Sequence, residues 1–272
     1  MSRALKLSVA LAAAIALVAG AATAFSSAAI ASLNPSDRPN IVFILTDDQR
    51  WDTLKWLPSV QALAAHGVEF TNAFVTTSLC CPSRTSILTG QYSHTTGVYS
   101  NVPPDGGAPS FDDSSTLATW LHDGGYETAL IGKYLNSYDL LPKGYIPPGW
   151  DEWDVISNLR EALHYYDYKM NQNGSYVNYG RAPYDYATTV RTELALRFLR
   201  TVNAPFFLYF APNAPHEPSL PAPGDGVPVT ELPPERPNFF EDTSDKPWNG
   251  VGAELGDASK LKTSATRARI LA

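Results

Sequence analysis

One short segment, Asn40 to Thr46, constrains the fold more than any other part of the chain. It reads Asn-Ile-Val-Phe-Ile-Leu-Thr, a continuous apolar run rich in β-branched residues, and the polar residues Asp47, Asp48 and Gln49 follow directly. Such a run is typical of a strand buried on both faces of a parallel sheet. Open parallel sheets bind ligands at the carboxyl ends of their strands, so we expect the two carboxylates to lie at the functional edge of the sheet.

Strand and helix patterns alternate along the rest of the chain. This alternation predicts an α/β fold with a mainly parallel sheet flanked by helices. Helix signals include caps at Ser114 to Thr116 and stops at Gly124 and Gly125. The predicted strands are 40–46, 68–75, 127–131 and 205–210, and the predicted helices are 57–66, one starting at 80, 114–122 and 185–200.

The segment from Tyr145 to Tyr186 is rich in Tyr, Asn, Gly and Trp. We interpret it as an excursion from the sheet. Within it, Asn171 to Ser175 is a predicted hairpin tip, because Asn173-Gly174 suits a tight turn with positive φ. Asn173-Gly174-Ser175 also fits an N-glycosylation acceptor in a host with the machinery.

The amino terminus has the composition of a secretory signal peptide over residues 1–31. Arg3 and Lys6 precede an Ala-rich apolar core, and Ala22-Thr23-Ala24 or Ala29-Ile30-Ala31 fits a cleavage site. The core is shorter than the roughly 20 residues of a spanning helix, so we expect export without a stable membrane anchor. The remaining chain divides into a domain over 38–220 and a Pro-rich loop with a frayed tail over 221–272.

Charge and cysteine content exclude some classes of protein. The chain has a net charge of −7, and without Arg3 and Lys6 it has 18 basic and 27 acidic residues, a net charge of −9. This acidity argues against nucleic acid as a partner. The only cysteines, Cys80 and Cys81, are adjacent, so no long-range disulfide framework exists.

The two cysteines begin the most specific motif of the chain, Cys-Cys-Pro-Ser-Arg-Thr-Ser-Ile-Leu-Thr-Gly over residues 80–90. Pro82 suits the first turn of a helix. Free N–H groups and the helix dipole would then favour an anion such as sulfate or phosphate beside Cys80, and Arg84 adds a permanent charge. The alternative is that both cysteines are simply buried in packing.

Four segments together resemble the amino-terminal half of a sulfatase of the alkaline phosphatase superfamily. The resemblance is strongest to the N-acetylglucosamine-6-sulfatase group, which removes sulfate from glucosamine residues of glycosaminoglycans. The segments are Arg38 to Gln49, the Cys80 motif, Gly132-Lys133-Tyr134-Leu135-Asn136 and Pro215-His216.

This resemblance implies a sulfuric ester hydrolase acting on a sulfated sugar. A formylglycine-generating enzyme would oxidise Cys80, and the hydrated aldehyde would attack sulfur, leaving a sulfated hemiacetal that expels sulfate. Asp47, Asp48 and residue 80 would bind Ca²⁺, which takes oxygen ligands. Arg84, Lys133 and His216 would act in catalysis, with Lys133 contacting sulfate.

Other interpretations stay open at each position. Taken alone, the pair Asp47 and Asp48 could lie in a solvated turn. Lys133 could be an ordinary surface lysine, and His216 could be a loop histidine that only packs against its neighbours. Asn136 stands where many sulfatases have a histidine close after the lysine, so the base that assists the hydrate is unassigned; His94 is a weak second candidate.

The chain also lacks motifs that the resemblance leads us to expect. A complete sulfatase carries, in its second half, an Asp-Asn-Gly segment that finishes the calcium site and a further sulfate-contacting lysine. We therefore expect a truncated sulfatase. The alternative function is a catalytically silent fragment with at most carbohydrate or anion binding, and a phosphoester hydrolase is more remote because those enzymes use Ser or Thr at position 80.

Overall fold

A computed structural model describes residues 38–157, 165–203 and 205–225. Its centre is one six-stranded sheet. The strands are β1 (Ile41–Ile44), β2 (Glu127–Gly132), β3 (Glu152–Ile156), β4 (Tyr168–Gln172), β5 (Ser175–Tyr179) and β6 (Phe206–Ala211). Their order is β1-β6-β2-β3-β4-β5; the first four are parallel, and β4 and β5 are antiparallel. The predicted α/β fold with a mainly parallel sheet is confirmed.

Four of the five helices described here lie where the sequence spacing places them, and the short α3 is additional. They are α1 (Pro58–His66), α2 (Cys80–Thr89), α3 (Ser93–Thr96), α4 (Leu117–Asp123) and α5 (Ala187–Thr201). At the start of α4, the N–H of Thr116 donates to Thr119 Oγ1 at 2.9 Å, and Gly124 caps the other end. None of the helices in the described ranges is long and apolar enough to cross a membrane. The predicted signal peptide and residues 226–272 lie outside those ranges.

The two faces of the sheet bury separate apolar clusters. On one face, Leu88 of α2 packs with Trp153 and Tyr209. On the other, Leu194 and Phe198 of α5 pack with further strand residues. Helix α2 is therefore held against the sheet, with Cys80 at its first position.

Strand β1 differs from its sequence-based prediction. It is not buried on both faces, because Val42 and Ile44 are 49% and 57% exposed. In the described part of the chain, β1 pairs with β6 alone and forms an edge of the sheet.

The strand predicted over residues 68–75 is wrong. The structure has turns and irregular backbone there, and Val68, Phe70, Phe74 and Val75 are 75–91% exposed. A segment of strand-like composition becomes a strand only when a neighbouring strand pairs with it. No such neighbour lies within the described residues.

The excursion predicted over 145–186 also needs correction, because β3, β4 and β5 in this segment are part of the main sheet. The hairpin itself is confirmed. Asn173 and Gly174 join β4 to β5 with φ of 49° and 87°. The Asn173 amide donates to Glu152 Oε2 at 2.9 Å and accepts from the Trp153 N–H at 2.8 Å. Glycosylation at Asn173 stays a prediction.

Candidate active site

The predicted site residues from four distant segments meet at the carboxyl edge of the parallel strands. Asp47 follows β1, Lys133 follows β2, His216 follows β6, and Cys80 begins α2. The Cys80 sulfur lies 3.9 Å from Asp47 Oδ1. One ligand atom each from Asp47, Cys80 and His216 lies within 4.8 Å of the other two. The topology thus brings these four residues together.

Asp47 is the electrostatic centre of this site. Its Oδ2 lies 2.5 Å from Lys133 Nζ, and its Oδ1 lies 3.6 Å from Arg84 Nη2. All three side chains are buried. Burial alone would raise the pKa of Asp47, but the two cations, Lys133 foremost, outweigh it and hold that pKa below its ordinary value. Asp47 is therefore ionised and already paired.

Arg84 is oriented toward the protein interior. It is 2% exposed, and its Nη1 donates to the backbone carbonyl of Lys133 at 2.7 Å. A guanidinium fork can hold two acceptors at once, so Arg84 fixes both the Lys133 backbone and the Asp47 carboxylate. This placement supports a positioning role as much as direct contact with a sulfate group.

Gly132 allows Lys133 to enter the site. Its φ is 124°, and a Cβ at this position would collide with the carbonyl oxygen of Ala211 in β6. The Lys133 N–H donates to the same oxygen at 2.7 Å. Glycine is needed here because β2 passes too close to β6 for any side chain.

Cys80 and His216 are coupled. A hydrogen bond to His216 lowers the pKa of the Cys80 thiol, and the same bond raises the pKa of His216 to about 9. The His216 Nδ1 lies 2.9 Å from the Glu217 carbonyl. In an oxidised residue 80, oxygen atoms would stand where this sulfur stands.

Cys81 differs from Cys80 in its burial and in the direction of its thiol pKa shift. It is fully buried, and burial raises its thiol pKa to about 11. Its N–H donates to Asn101 Oδ1 at 2.8 Å. The packing interpretation therefore applies to Cys81, while Cys80 is partly exposed.

The start of α2 offers less to an anion than its sequence suggests. The Cys81 N–H is taken by Asn101, Pro82 has no N–H, and the Ser83 N–H donates to Leu79 at 2.9 Å. The expectation of several free N–H groups beside Cys80 is corrected accordingly. Side-chain cations supply most of the positive charge.

Asp48 lies at the rim of the site. Its backbone has a φ of 62°, its side chain is 55% exposed, and its Oδ2 lies 3.5 Å from His216 Nε2. Asp48 therefore contacts the histidine, whereas Asp47 contacts Cys80.

The histidine loop is held by residues that sequence reasoning missed. The His216 carbonyl accepts from Tyr165 Oη at 2.8 Å, and its N–H donates to the Asn213 carbonyl at 2.8 Å. The fully buried Arg191 donates to Asn213 Oδ1. A signal existed: Arg191 falls within the apolar stripe of α5, between Val190 and Leu194.

Neither His94, the weak candidate for the base, nor Asn136, which stands where many sulfatases have a histidine, supplies a base at this site. His94 is exposed in α3 and stacks on Tyr92 at 5.6 Å. Asn136 is 4% exposed, and its Oδ1 has no hydrogen-bond partner among the described residues. The base stays unassigned.

The site fits a divalent cation only in part. Asp47, Asp48 and an oxidised residue 80 supply oxygen, the donor that calcium prefers, but calcium takes about six to eight oxygen ligands. Lys133 and Arg84 already neutralise Asp47. The described residues therefore offer part of a calcium coordination sphere.

The fold and the site place this chain among α/β proteins in which a helix begins at a cysteine, here Cys80, beside Asp47 and His216 at the carboxyl edge of the sheet. The sequence profile of the family described as Sulfatase matches residues 39–268. This chain belongs to the sulfatase family.

Three comparisons describe its relatives. The chain is 38% identical over 202 residues to the extracellular sulfatase SULF-1 homolog of Drosophila melanogaster, covering 68% of this chain and 17% of the relative. It is 32% identical over 232 residues to N-acetylglucosamine-6-O-sulfatase of Bacteroides thetaiotaomicron, covering 82% and 39%. The solved structure of BT4656 with its substrate D-glucosamine-2-N,6-O-disulfate superposes with a TM-score of 0.61 at 29% identity, covering 75% and 40%. The chain thus spans well under half the length of these relatives.

Proposed function

We propose that this chain is the catalytic part of an enzyme that hydrolyses the sulfate ester of a sulfated sugar, such as N-acetylglucosamine 6-sulfate in a glycosaminoglycan. The observation that carries the proposal is the meeting of Cys80, Asp47, Lys133 and His216 at one sheet edge. The relatives named as sulfatases of glucosamine support the substrate class.

Formylglycine at position 80, made by a formylglycine-generating enzyme, would supply a hydroxyl nucleophile and a release route for sulfate. The position suits it because Cys80 is partly exposed and faces the histidine and the cations. Calcium, held in part by Asp47, Asp48 and residue 80, would attract the sulfate oxygens.

The chain's own residues bind the ester and move protons. Lys133 places a positive charge where the sulfate oxygens gather. His216 turns Nδ1 to the Glu217 carbonyl and presents Nε2 to the cleft, where the protonated ring gives its proton to the departing sugar oxygen. Asn213, Tyr165 and Arg191 keep that ring in place.

Export also belongs to the proposal. The amino-terminal signal pattern and the Drosophila relative, named as an extracellular sulfatase, support it. The substrate would then be an extracellular or extracytoplasmic carbohydrate.

A second candidate is a silent sulfatase domain that binds anionic sugars without turnover. The pairing of Asp47 with Lys133 and Arg84 favours it, because a neutralised carboxylate attracts a metal ion less.

Turnover of an aryl sulfate, together with the mass of the peptide containing Cys80, separates the two functions. We expect a mass corresponding to formylglycine and turnover that Cys80→Ala abolishes and Cys81→Ala retains. An unmodified thiol together with no turnover would exclude the hydrolase function. Turnover that is lost in Cys80→Ala but kept in Cys81→Ala would exclude the silent sulfatase domain.

A further inference from the structure

A cleft of about 470 Å³ is lined by none of the residues of the cluster around Cys80. Its polar lining comes from a loop after β2, the end of β3 and the hairpin β4–β5. The residues that matter here are Asp139, Lys143, Ser157, Lys169, Tyr176 and Asn178.

Strand register places this cleft at the same edge of the sheet as the active site. Gly132 of β2 pairs with Val155 of β3 in parallel, so Ser157 lies level with Tyr134, the residue after Lys133. The Ser157 N–H donates to the Lys169 carbonyl at 2.9 Å, which brings Lys169 to that level.

The cleft also opens on the face of the sheet that carries α2. Lys169 pairs with Asn178 across the hairpin, and Asn171 pairs with Tyr176 on the same face. Asn171 donates to Tyr138 Oη at 2.8 Å, and Tyr138 packs in the core cluster that contains Leu88 of α2. The cleft and the active site therefore share one face of the sheet as well as one edge.

Two ammonium groups give the cleft its chemistry. Among the described residues, neither Lys143 nor Lys169 forms an ion pair with a carboxylate. Asp139 is the one acidic residue in the lining. The chain as a whole is acidic, with a net charge of −7. The cleft is therefore a local region of positive charge.

Lys143 is held in position by its surroundings. Its Nζ lies 5.9 Å from the centroid of the Tyr176 ring, within the range of a cation–π contact. Tyr176 Oη accepts the N–H of Gly144, the next residue, at 3.2 Å. The loop that carries Lys143 is thus tied to β5, and the ring offers a flat surface beside the charge.

We propose that this cleft binds a second anionic group, a sulfate or a carboxylate, on a sugar adjacent to the one whose ester enters the Cys80 site. Lys143 and Lys169 bind the charge, and Asn178 donates to its oxygens. The inference rests on the proposed function and narrows it to sulfated oligosaccharides with more than one negative charge.

Calorimetric titration of the full chain tests the proposal, in a Cys80→Ala background that prevents turnover. Three probes distinguish the sources of charge: N-acetylglucosamine 6-sulfate, a disaccharide that adds one uronic acid carboxylate, and a disaccharide that adds one further sulfate. The variant is Lys143→Gln with Lys169→Gln. The matched control is Lys55→Gln, an exposed lysine whose Nζ also lies over an aromatic ring, 4.1 Å from the Trp56 centroid.

We expect the double variant to lose roughly five- to tenfold in affinity for at least one disaccharide, because it removes two exposed ion pairs and each of these contributes modestly to binding. Its affinity for the monosaccharide should change less than about twofold, and the loss should shrink as salt is added. The disaccharide that shows the loss identifies the anionic group.

The proposal would be overturned if the double variant lost the same affinity for all three probes or lost none. It would also be overturned if Lys55→Gln caused an equal loss of affinity, or if neither disaccharide bound. The monosaccharide separates this failure from failure of the proposed function. If the monosaccharide binds and the double variant leaves the affinity for both disaccharides unchanged, only the proposed role of the cleft is wrong.

Discussion

Asp47 and Lys133 form a buried ion pair, with 2.5 Å between Oδ2 and Nζ. The pair joins the carboxyl end of the edge strand β1 to that of β2, two strands away. It means that the carboxylate proposed for calcium and the lysine proposed for sulfate neutralise each other. A metal ion or a sulfate ester at this site would have to share Asp47 or Lys133 with the existing pair.

Replacing Lys133 by Met should destabilise the chain, because Asp47 would keep only the more distant Arg84 as a partner. Breaking a buried pair leaves an uncompensated charge, and we expect a loss of about 2 to 4 kcal/mol in the free energy of unfolding. The loss should diminish in acid, where Asp47 takes up a proton. Urea denaturation measures it, and Lys55→Met is the control; equal midpoints for the two variants would contradict the prediction.

Calcium binding should be weak in this chain. Asp47 and Asp48 supply few of the ligands that calcium takes, and the lysine competes for Asp47. We expect a dissociation constant of about 1 mM or weaker by calorimetry. Micromolar binding that Asp47→Asn abolishes would show that the site is better formed than its described ligands indicate.

The two cysteines should differ sharply in reactivity when residue 80 is left unmodified. The thiolate is the reactive form; the pKa of Cys80 is lowered by His216, whereas burial raises that of Cys81 to about 11. Near neutral pH, iodoacetamide should therefore label Cys80 first and Cys81 only after unfolding. His216→Ala should slow the labelling of Cys80 several-fold. Fragment masses of the peptide assign the label, and preferential labelling of Cys81 is the contrary result.

Gly132→Ala should disturb the site as well as the fold. The new Cβ would meet the Ala211 carbonyl and force β2 from β6, at a cost of about 2 to 4 kcal/mol. Gly90→Ala is a matched control, since Gly90 also has positive φ, 69°, but nothing within 4 Å of a Cβ. It should cost about 1 kcal/mol. Thermal denaturation compares them, and equal losses would mean that the close approach is unimportant.

Asp154 should make stability depend on pH. Its side chain is fully buried, 3.3 Å from Arg197, and burial together with Glu152 raises its pKa to about 7. The folded state then holds the proton more tightly than the unfolded state, so stability falls as pH rises from about 4 to about 7. Asp154→Asn should stabilise the chain by about 2 kcal/mol near pH 8 and have little effect near pH 4.

Urea denaturation at both pH values measures that difference. Asp123→Asn, at an 84% exposed side chain, is the control and should show no comparable dependence. A stabilisation by Asp154→Asn that is the same at both pH values would rule out titration of Asp154 as its cause.

Local spacing in the sequence was sufficient for much of this molecule. The periodicity of 185–200 predicts the helix found over Ala187–Thr201, and Asn173-Gly174 predicts a tight turn because both residues tolerate positive φ. Asp47 directly follows an apolar strand, and the rule that parallel sheets bind ligands at their carboxyl edge predicts its place there. The resemblance to sulfatases adds Lys133 and His216. These features depend on neighbours along the chain or on a general rule of sheet topology.

Only the tertiary structure decided the features that depend on distant partners. The segment 68–75 has strand-like composition but no strand beside it among the described residues, and β1 has one neighbour instead of two. Arg84 points inward because it contacts Lys133, 49 residues further along the chain. Arg191 supports the His216 loop through Asn213, 22 residues further along. Composition sets what a segment can become, whereas pairing and burial are settled by contacts that no local pattern encodes.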